Sequence, residues 1–281
     1  RKLNGDEDLI YKTDGSFELN SDLDSILKNM KEFFKNGNVA TSNNIFCRNI
    51  FEKLSRDETK RLDFKYNHPY KDLNKKLIGE SAYKVYKISE MCTEKAISVT
   101  PSVDLCNQEI LYTGLANIDS FTGRASQILT PSNSIKSSVK YYEKGDVIFS
   151  KMRPELRKVV NIEFDNPGYV SSECTVFKVN EKIISPKLFS IILRSNLVFN
   201  QIDHKISGIG RPRISIKDLR DVVIPIPPLE IQNQLEKEFD TAQENALILE
   251  EKARDLLKQA EQMKLESVEN LAINFIGKSF E

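Results

Sequence analysis

The sequence predicts an α+β protein: a strand-rich mixed domain followed by a long coiled-coil-forming α-helix, with a small helical lead-in at the N-terminus. Short β-branched runs separated by turn residues occupy the middle of the chain, and an uninterrupted 4-3 apolar repeat occupies its end. Between them stands Ile224-Pro225-Ile226-Pro227-Pro228-Leu229, which stops any strand or helix before it because proline lacks a donor and restricts the residue it follows. These signals divide the chain into a connector over residues 1–58, the mixed domain over 59–227 and the helix over 228–274.

In chain order, two short apolar runs around Thr13-Asp14-Gly15-Ser16 read as a hairpin. Ser21 to Phe34 places Leu23, Ile26, Leu27, Met30 and Phe34 at helical spacing, with Ser21 as cap and Asn36-Gly37-Asn38 as stop. A second helix is expected over Ile45 to Leu54. The middle carries strand-like runs at Asp146–Ser150, Val159–Phe164, Thr175–Val179 and Val222–Ile226. Ser185 to Phe199 reads as a helix with Ser185 as cap and Pro186 at its first position.

The last element has the strongest signal. Leu235, Phe239, Ala242, Ala246, Leu249, Ala253, Leu256, Ala260 and Met263 keep strict 4-3 spacing, with charges on the remaining faces. A helix of about 40 residues extends ~60 Å, more than the preceding domain can cover, so the stripe calls for a partner. Its alanines permit a close approach and favour pairing with another helix, including that of a second copy.

With 281 residues and 40% hydrophobic content, the chain can bury one substantial core with appendages. It opens on Arg1, has no basic stretch leading into an apolar one, and has no apolar run near the ~20 residues of a membrane span. A soluble, cytoplasmic part of a longer chain is expected, with no membrane partner. Cys47, Cys92, Cys106 and Cys174 form no C-x-x-C pair and read as reduced thiols; with only His68 and His204 besides, no metal site is expected.

Net charge is zero but unevenly spread: residues 124–220 carry 17 Lys+Arg against 9 Asp+Glu, and residues 229–281 carry 6 against 12. A basic middle on an acidic tail suits a polyanion-binding domain attached to a helix meant for proteins. Enzymatic signals are poor. Asp165-Asn166-Pro167-Gly168-Tyr169 approximates the amino-methyltransferase tetrapeptide Asn/Asp-Pro-Pro-Tyr, but a turn explains Asn-Pro-Gly, and no Gly-rich loop for S-adenosylmethionine accompanies it. Acidic pairs such as Glu250-Glu251 sit on the helical tail rather than in a Mg²⁺-holding cluster, so no catalytic residue is expected.

Two segments suit DNA. Ser150 to Lys158 places Lys151, Arg153, Arg157 and Lys158 after an apolar strand, where lysines can meet phosphates and arginines can fork onto guanine O6 and N7. Ser207-Gly208-Ile209-Gly210-Arg211-Pro212-Arg213 joins glycines that let backbone approach a phosphate to two fixed charges, Arg211 and Arg213. Ser207, Gly208 and Gly210 are counted with them, and Arg124, Lys136 and Lys140 extend the candidate set.

Three stretches resemble the specificity subunits of type I restriction-modification systems: Gly145 to Pro154, Gly168 to Glu173, and Ile214 to Leu219 leading to Ile224-Pro225-Ile226-Pro227-Pro228-Leu229-Glu230-Ile231-Gln232. The last is the most specific, and the resemblance spans about residues 60–270. It implies a target-recognition domain that reads double-stranded DNA, and a helix that spaces it and docks a methyltransferase subunit. S-adenosylmethionine and Mg²⁺ would then belong to partners, with no cofactor in this chain. Arg61 to Pro69 resembles the opening of such domains behind a methyltransferase, which makes residues 1–58 a connector or a methyltransferase tail.

One recognition domain and one helix are present where the family has two of each, and internal repetition is absent. The resemblance therefore implies a half-length subunit that dimerises through antiparallel helices, or the specificity module of a fused restriction-methyltransferase. The alternatives are a coiled-coil adaptor that reads no DNA sequence and a fragment of a DNA adenine methyltransferase or endonuclease.

Overall fold

The computed structural model of the chain describes residues 9–11, 17–19, 23–36, 55, 59, 61–120 and 122–276. It divides between Pro227 and Pro228 into two units. In the first, β1 (Leu9–Tyr11) and β2 (Phe17–Leu19) pair antiparallel with Tyr11 opposite Phe17, the arms of the expected hairpin. Helix α1 (Leu23–Asn36) ends where Asn-Gly-Asn begins. The residues of the hairpin turn, the Ser21 cap and the helix expected over Ile45–Leu54 lie outside the described residues.

From Leu62 the chain runs through α2 (Phe64–Asn67), α3 (Pro69–Gly79), β3 (Lys84–Lys87), α4 (Ile88–Met91), β4 (Cys92–Glu94), β5 (Ser98–Val99) and α5 (Pro101–Asp104). Seven strands follow: β6 (Glu109–Thr113), β7 (Ile128–Pro131), β8 (Val139–Tyr142), β9 (Asp146–Ser150), β10 (Val159–Asn161), β11 (Gly168–Ser171) and β12 (Cys174–Val179). The unit closes with α6 (Pro186–Leu193), α7 (Asn196–Ile202), α8 (Ile216–Arg220) and β13 (Val223–Ile226). Strand order is β10-β9-β12-β4 in one sheet and β5-β8-β11-β6-β7 in a second, with β13 and β3 as a separate pair. The pairing is antiparallel except between β11 and β6, where Tyr169 lies beside Tyr112 in parallel register.

Burial explains why Asp146–Ser150 reads as a continuous apolar run. The β10-β9-β12-β4 sheet is covered on both faces, so both sides of its alternation must be apolar. Val147 and Phe149 of β9, with Phe177 and Val179 of β12, enter one core, capped by Leu188, Phe189 and Leu193 of α6 and by Val198 and Ile202 of α7. Ile148, Cys174 and Val176 point the other way, onto Tyr142 of β8, Val170 of β11 and Ile118. Each of these larger side chains, withdrawn from water, contributes about 1.5–3 kcal/mol. At the head of β9 the buried Asp146 carboxylate accepts from Lys95 Nζ at 2.7 Å and from the Glu143 N–H at 2.9 Å, so its charge is not buried alone.

The single helix expected over Ser185–Phe199 is two. Ser185 Oγ caps the first by accepting from the Leu188 N–H at 3.0 Å, and Pro186 opens it. The turn ends at Arg194 because Ser195 is extended (φ −77°, ψ 162°) and its hydroxyl donates to the Ile192 carbonyl at 2.6 Å. This side-chain bond competes with the helix ladder at the break. In the β13–β3 pair Pro225 lies opposite Val85; a two-stranded pairing tolerates its missing donor.

The second unit is α9 (Leu229–Ile276), 48 residues long, or about 72 Å. Along the 4-3 seam Leu235, Leu249, Leu256 and Met263 are all exposed, Leu249 by 65% and Met263 by 70%.

Candidate nucleic-acid interface

β9 delivers the chain to a basic segment whose backbone is held at several points. Ser150 Oγ donates to the Met152 carbonyl at 2.7 Å. A 3-10 turn over Pro154–Leu156 follows, with Arg153 and Arg157 on either side of it in the left-handed region at φ 49° and 53°. A non-glycine residue there costs of order 1–3 kcal/mol and persists only where its surroundings hold it. Arg153 is held by its N–H, which donates to the Pro212 carbonyl at 2.8 Å. Arg157 is held by its side chain: the guanidinium donates to the Arg194 carbonyl at 3.1 Å and to Asn196 Oδ1 at 2.5 Å, and lies 5.0 Å from the centre of the Phe199 ring. Arg157 thus ties its turn to the break between α6 and α7.

Neighbouring cations are also engaged. Lys158 Nζ donates to the Leu115 carbonyl at 2.5 Å. Lys140, on β8, donates to Glu94 Oε1 at 2.7 Å, and Thr175 Oγ1 donates to the same oxygen at 2.9 Å. Burial alone would raise the Glu94 carboxyl; these two bonds outweigh it and hold it below the usual carboxylate range. Lys151 is half-buried, and burial followed by the charge of Lys140 pulls its ammonium below the usual lysine range.

The second segment is a closed hairpin loop. Ser207 and Arg213 exchange both main-chain bonds, at 3.0 Å and 2.7 Å, leaving Gly208 to Pro212 outside the pair. Gly208 has φ +104°, and a Cβ there would come within 3.0 Å of the Arg211 carbonyl oxygen, so only glycine makes this turn without strain. The stem is stitched to the first segment: besides the Arg153–Pro212 bond, the Ile214 N–H donates to the Lys151 carbonyl at 3.1 Å. Arg213 forks onto Glu173 through Nε at 2.9 Å and Nη2 at 2.5 Å, and the Glu173 carbonyl accepts from the Lys151 N–H at 3.0 Å. The Arg213 bonds hold the Glu173 carboxyl below its usual range.

Arg124 enters the same neighbourhood by a separate route. Its turn is closed by the Asp119 N–H on the Arg124 carbonyl at 2.9 Å. A Cβ at Gly123 would collide with the Arg194 guanidinium, so this turn rests on the residue whose carbonyl holds Arg157. Lys136 is exposed on the link between β7 and β8, and no described bond ties it to the other segments. The two expected loops therefore form one surface. Arg153 and Arg211 lie exposed on it, Arg124 is exposed on the turn that meets Arg194, Arg213 is paired, and Arg157, Lys158 and Lys140 are turned to internal acceptors. Glu173, Arg194 and Asn196, which position these cations, carry no signal in the sequence beyond the place of Glu173 in one resembling motif.

Asp165 to Pro167 are exposed in the turn before β11, where Lys144 Nζ meets Asp165 at 2.6 Å. Among the described residues no group of three or more His, Cys, Asp or Glu converges as a metal site, and no helix is long and apolar enough to cross a membrane.

Comparison with known proteins finds that a family model described as the type I restriction modification DNA specificity domain matches residues 50–259. The specificity subunit of the type I restriction enzyme EcoDI from Escherichia coli is 29% identical over 165 residues, 58% of this chain and 34% of that protein. The HindI specificity subunit from Haemophilus influenzae is 26% identical over 136 residues, 47% of this chain and 27% of its own. The HsdS subunit from Thermoanaerobacter tengcongensis shares the fold at a TM-score of 0.52 and 23% identity, over 72% of this chain and 52% of that one. A chain from a structure of type I R-M complex assembly and conformational transition gives 0.51 and 21%, over 68% and 47%. The chain spans about a third of the length of the curated relatives it matches.

Proposed function

Because the chain belongs to the type I restriction modification DNA specificity domain family, we propose that it reads the DNA target sequence for a restriction-modification system and performs no chemistry itself. The observation that carries this is the stitching of two arginine-bearing loops into one surface. Arg153 and Arg211 stand exposed on stems that share the Arg153–Pro212 and Ile214–Lys151 bonds, Arg153 held only loosely by Glu155 at 3.4 Å. Side chains fixed at the base and open at the tip suit bidentate readout of guanine O6 and N7 in a major groove. Methyl transfer with S-adenosylmethionine and Mg²⁺-dependent cleavage belong, in this reading, to partner subunits or domains that act with it in the cytoplasm.

The exposed seam of α9 is the surface for those proteins, and its fitting occupant is the same seam of a second copy, antiparallel. Two copies joined in this way present two recognition surfaces related by a two-fold axis, and so a bipartite or palindromic site. Substituting glutamate at both Leu249 and Leu256 is expected to leave a monomer in sedimentation while the first unit keeps its melting transition.

Selection of the whole chain on a randomised duplex library at moderate salt tests the main reading. Retained molecules are expected to share a short motif, and Arg153→Ala or Arg211→Ala each to lose about 1–3 kcal/mol at one base position. Retention without any motif would favour the adaptor, and a uniform loss across all sequences would make the arginines phosphate contacts.

A further inference from the structure

The DNA-facing reading leaves the tip of the Ser207–Arg213 loop unexplained. Ile209 stands there with a relative exposure of 105%, the highest among the large apolar side chains of the described residues. An exposed aliphatic side chain is ordinary on a protein surface. This one differs in how it is held. The residues on either side are glycines at φ +104° and +78°, so the backbone turns sharply and presents the isoleucine at the apex. Below it the loop is closed by the two Ser207–Arg213 bonds and braced by Arg153 and Glu173. Being β-branched, its side chain has few rotamers to lose. The apex thus carries an apolar knob above a braced stem, next but one to the exposed Arg211.

Resting on the reading of this loop as the DNA-facing one, we infer that Ile209 is a specificity-determining residue that packs on the 5-methyl group of a thymine beside the base read by Arg211. In the major groove thymine is the base with an apolar edge, and aliphatic side chains recognise it by contact with that methyl. Arginine and isoleucine two positions apart would then read a hydrogen-bonding edge and an apolar edge from one loop. Such a contact withdraws roughly one methyl group from water, which corresponds to about a fourfold preference for thymine.

The test uses the whole chain and the duplex library, followed by the selected duplex with each thymine replaced in turn by deoxyuridine. Wild-type protein is expected to lose about fourfold at one position on removal of the methyl, and Ile209→Ala to lose the same preference there and become indifferent to the replacement. An Ile209→Ala profile identical to wild type at every position overturns the inference and leaves the DNA reading standing. So does a position that ignores the methyl while 2-aminopurine placed beside it brightens, because the side chain is then a wedge between bases. Absence of any motif with wild-type protein removes both. Because Ile209 is wholly exposed, the substitution is expected to leave the melting temperature unchanged, which separates loss of contact from loss of fold.

Discussion

Two basic segments, Lys151 to Lys158 and Ser207 to Arg213, look alike as sequence and differ in what their charges touch. In the first, Arg157 and Lys158 end on the Arg194 and Leu115 carbonyls, Lys151 is half-buried beside Lys140, and of its four cations only Arg153 is exposed. In the second, Arg213 is held by Glu173 while Arg211 and the apex beyond it are open. The difference lies in the surroundings. A cation that follows a strand buried on both faces is close to helix ends with carbonyls to satisfy, whereas one at the tip of a glycine hairpin has only solvent or a ligand. Charge density in the sequence marks the neighbourhood of an interface, and main-chain acceptors decide which cations remain available to it.

The sharpest way to break this contrast is Arg157→Ala. If Arg157 is an internal strut, its removal takes a donor from the Arg194 carbonyl and from Asn196 Oδ1 and deprives a left-handed turn of that tie. It should then cost about 2–3 kcal/mol of stability, or roughly 5–10 °C in melting temperature, with the selected DNA motif unchanged. A variant that melts like wild type but loses preference at one base would place Arg157 on the DNA and collapse the distinction.

Arg211→Ala is the mirror experiment. With no described hydrogen bond and only a weak charge interaction with Glu173, exposed Arg211 contributes little to the fold, so the melting temperature should stay within the range of an ordinary surface substitution, about 0.5 kcal/mol. Its loss should appear as about 1–3 kcal/mol at one base position. The double variant with Arg157→Ala tests the separation directly: stability and binding losses should add, as they do for sites with no shared partner.

Much of the frame is legible in the sequence, and the reason is local. The Asp146–Ser150 run, the Ser185-Pro186 cap, the proline stop and the long C-terminal helix each follow from neighbours within a few residues. The break after Arg194 is not legible. Ser195 stands in a stretch whose apolar spacing continues through Phe199, and what ends the helix is one hydroxyl bond to Ile192. The site is half legible for the same reason. Both basic loops announce themselves by charge and glycine, but the partners that occupy Arg157, Lys158, Lys140 and Arg213 come from distant residues, such as Asn196, Leu115, Glu94 and Glu173. Sequence spacing carries no record of those contacts.

A subtler charge sits just before the second loop. Burial, then Lys71, Lys205 and Arg61, hold the His204 imidazole down to about 4, against an ordinary value of 6.5. At neutral pH His204 therefore adds no positive charge to the loop. The native state refuses a proton that the unfolded chain accepts, so the stability from this group is present above pH 6.5 and is lost as pH falls toward 4. Because the ring is only partly buried, the loss should be about 1 kcal/mol over that window. His204→Gln should flatten the stability profile between pH 6.5 and 4 measured by denaturant melts; an unchanged slope would assign the pH dependence elsewhere.

The smallest expected effect separates the two outlying cations. Arg124 stands on the turn that rests against Arg194, so it shares a support with the first segment, whereas Lys136 has no described tie to either loop. If the interface is the stitched surface, Arg124 reaches a phosphate at its margin. Arg124→Ala should then lower the slope of log affinity against log salt by about 1 while leaving the motif intact. Lys136→Ala should leave the slope as it is. Equal reductions would mean that the footprint extends across the β7–β8 link, and the surface that holds the DNA would then be wider than the pair of loops that reads it.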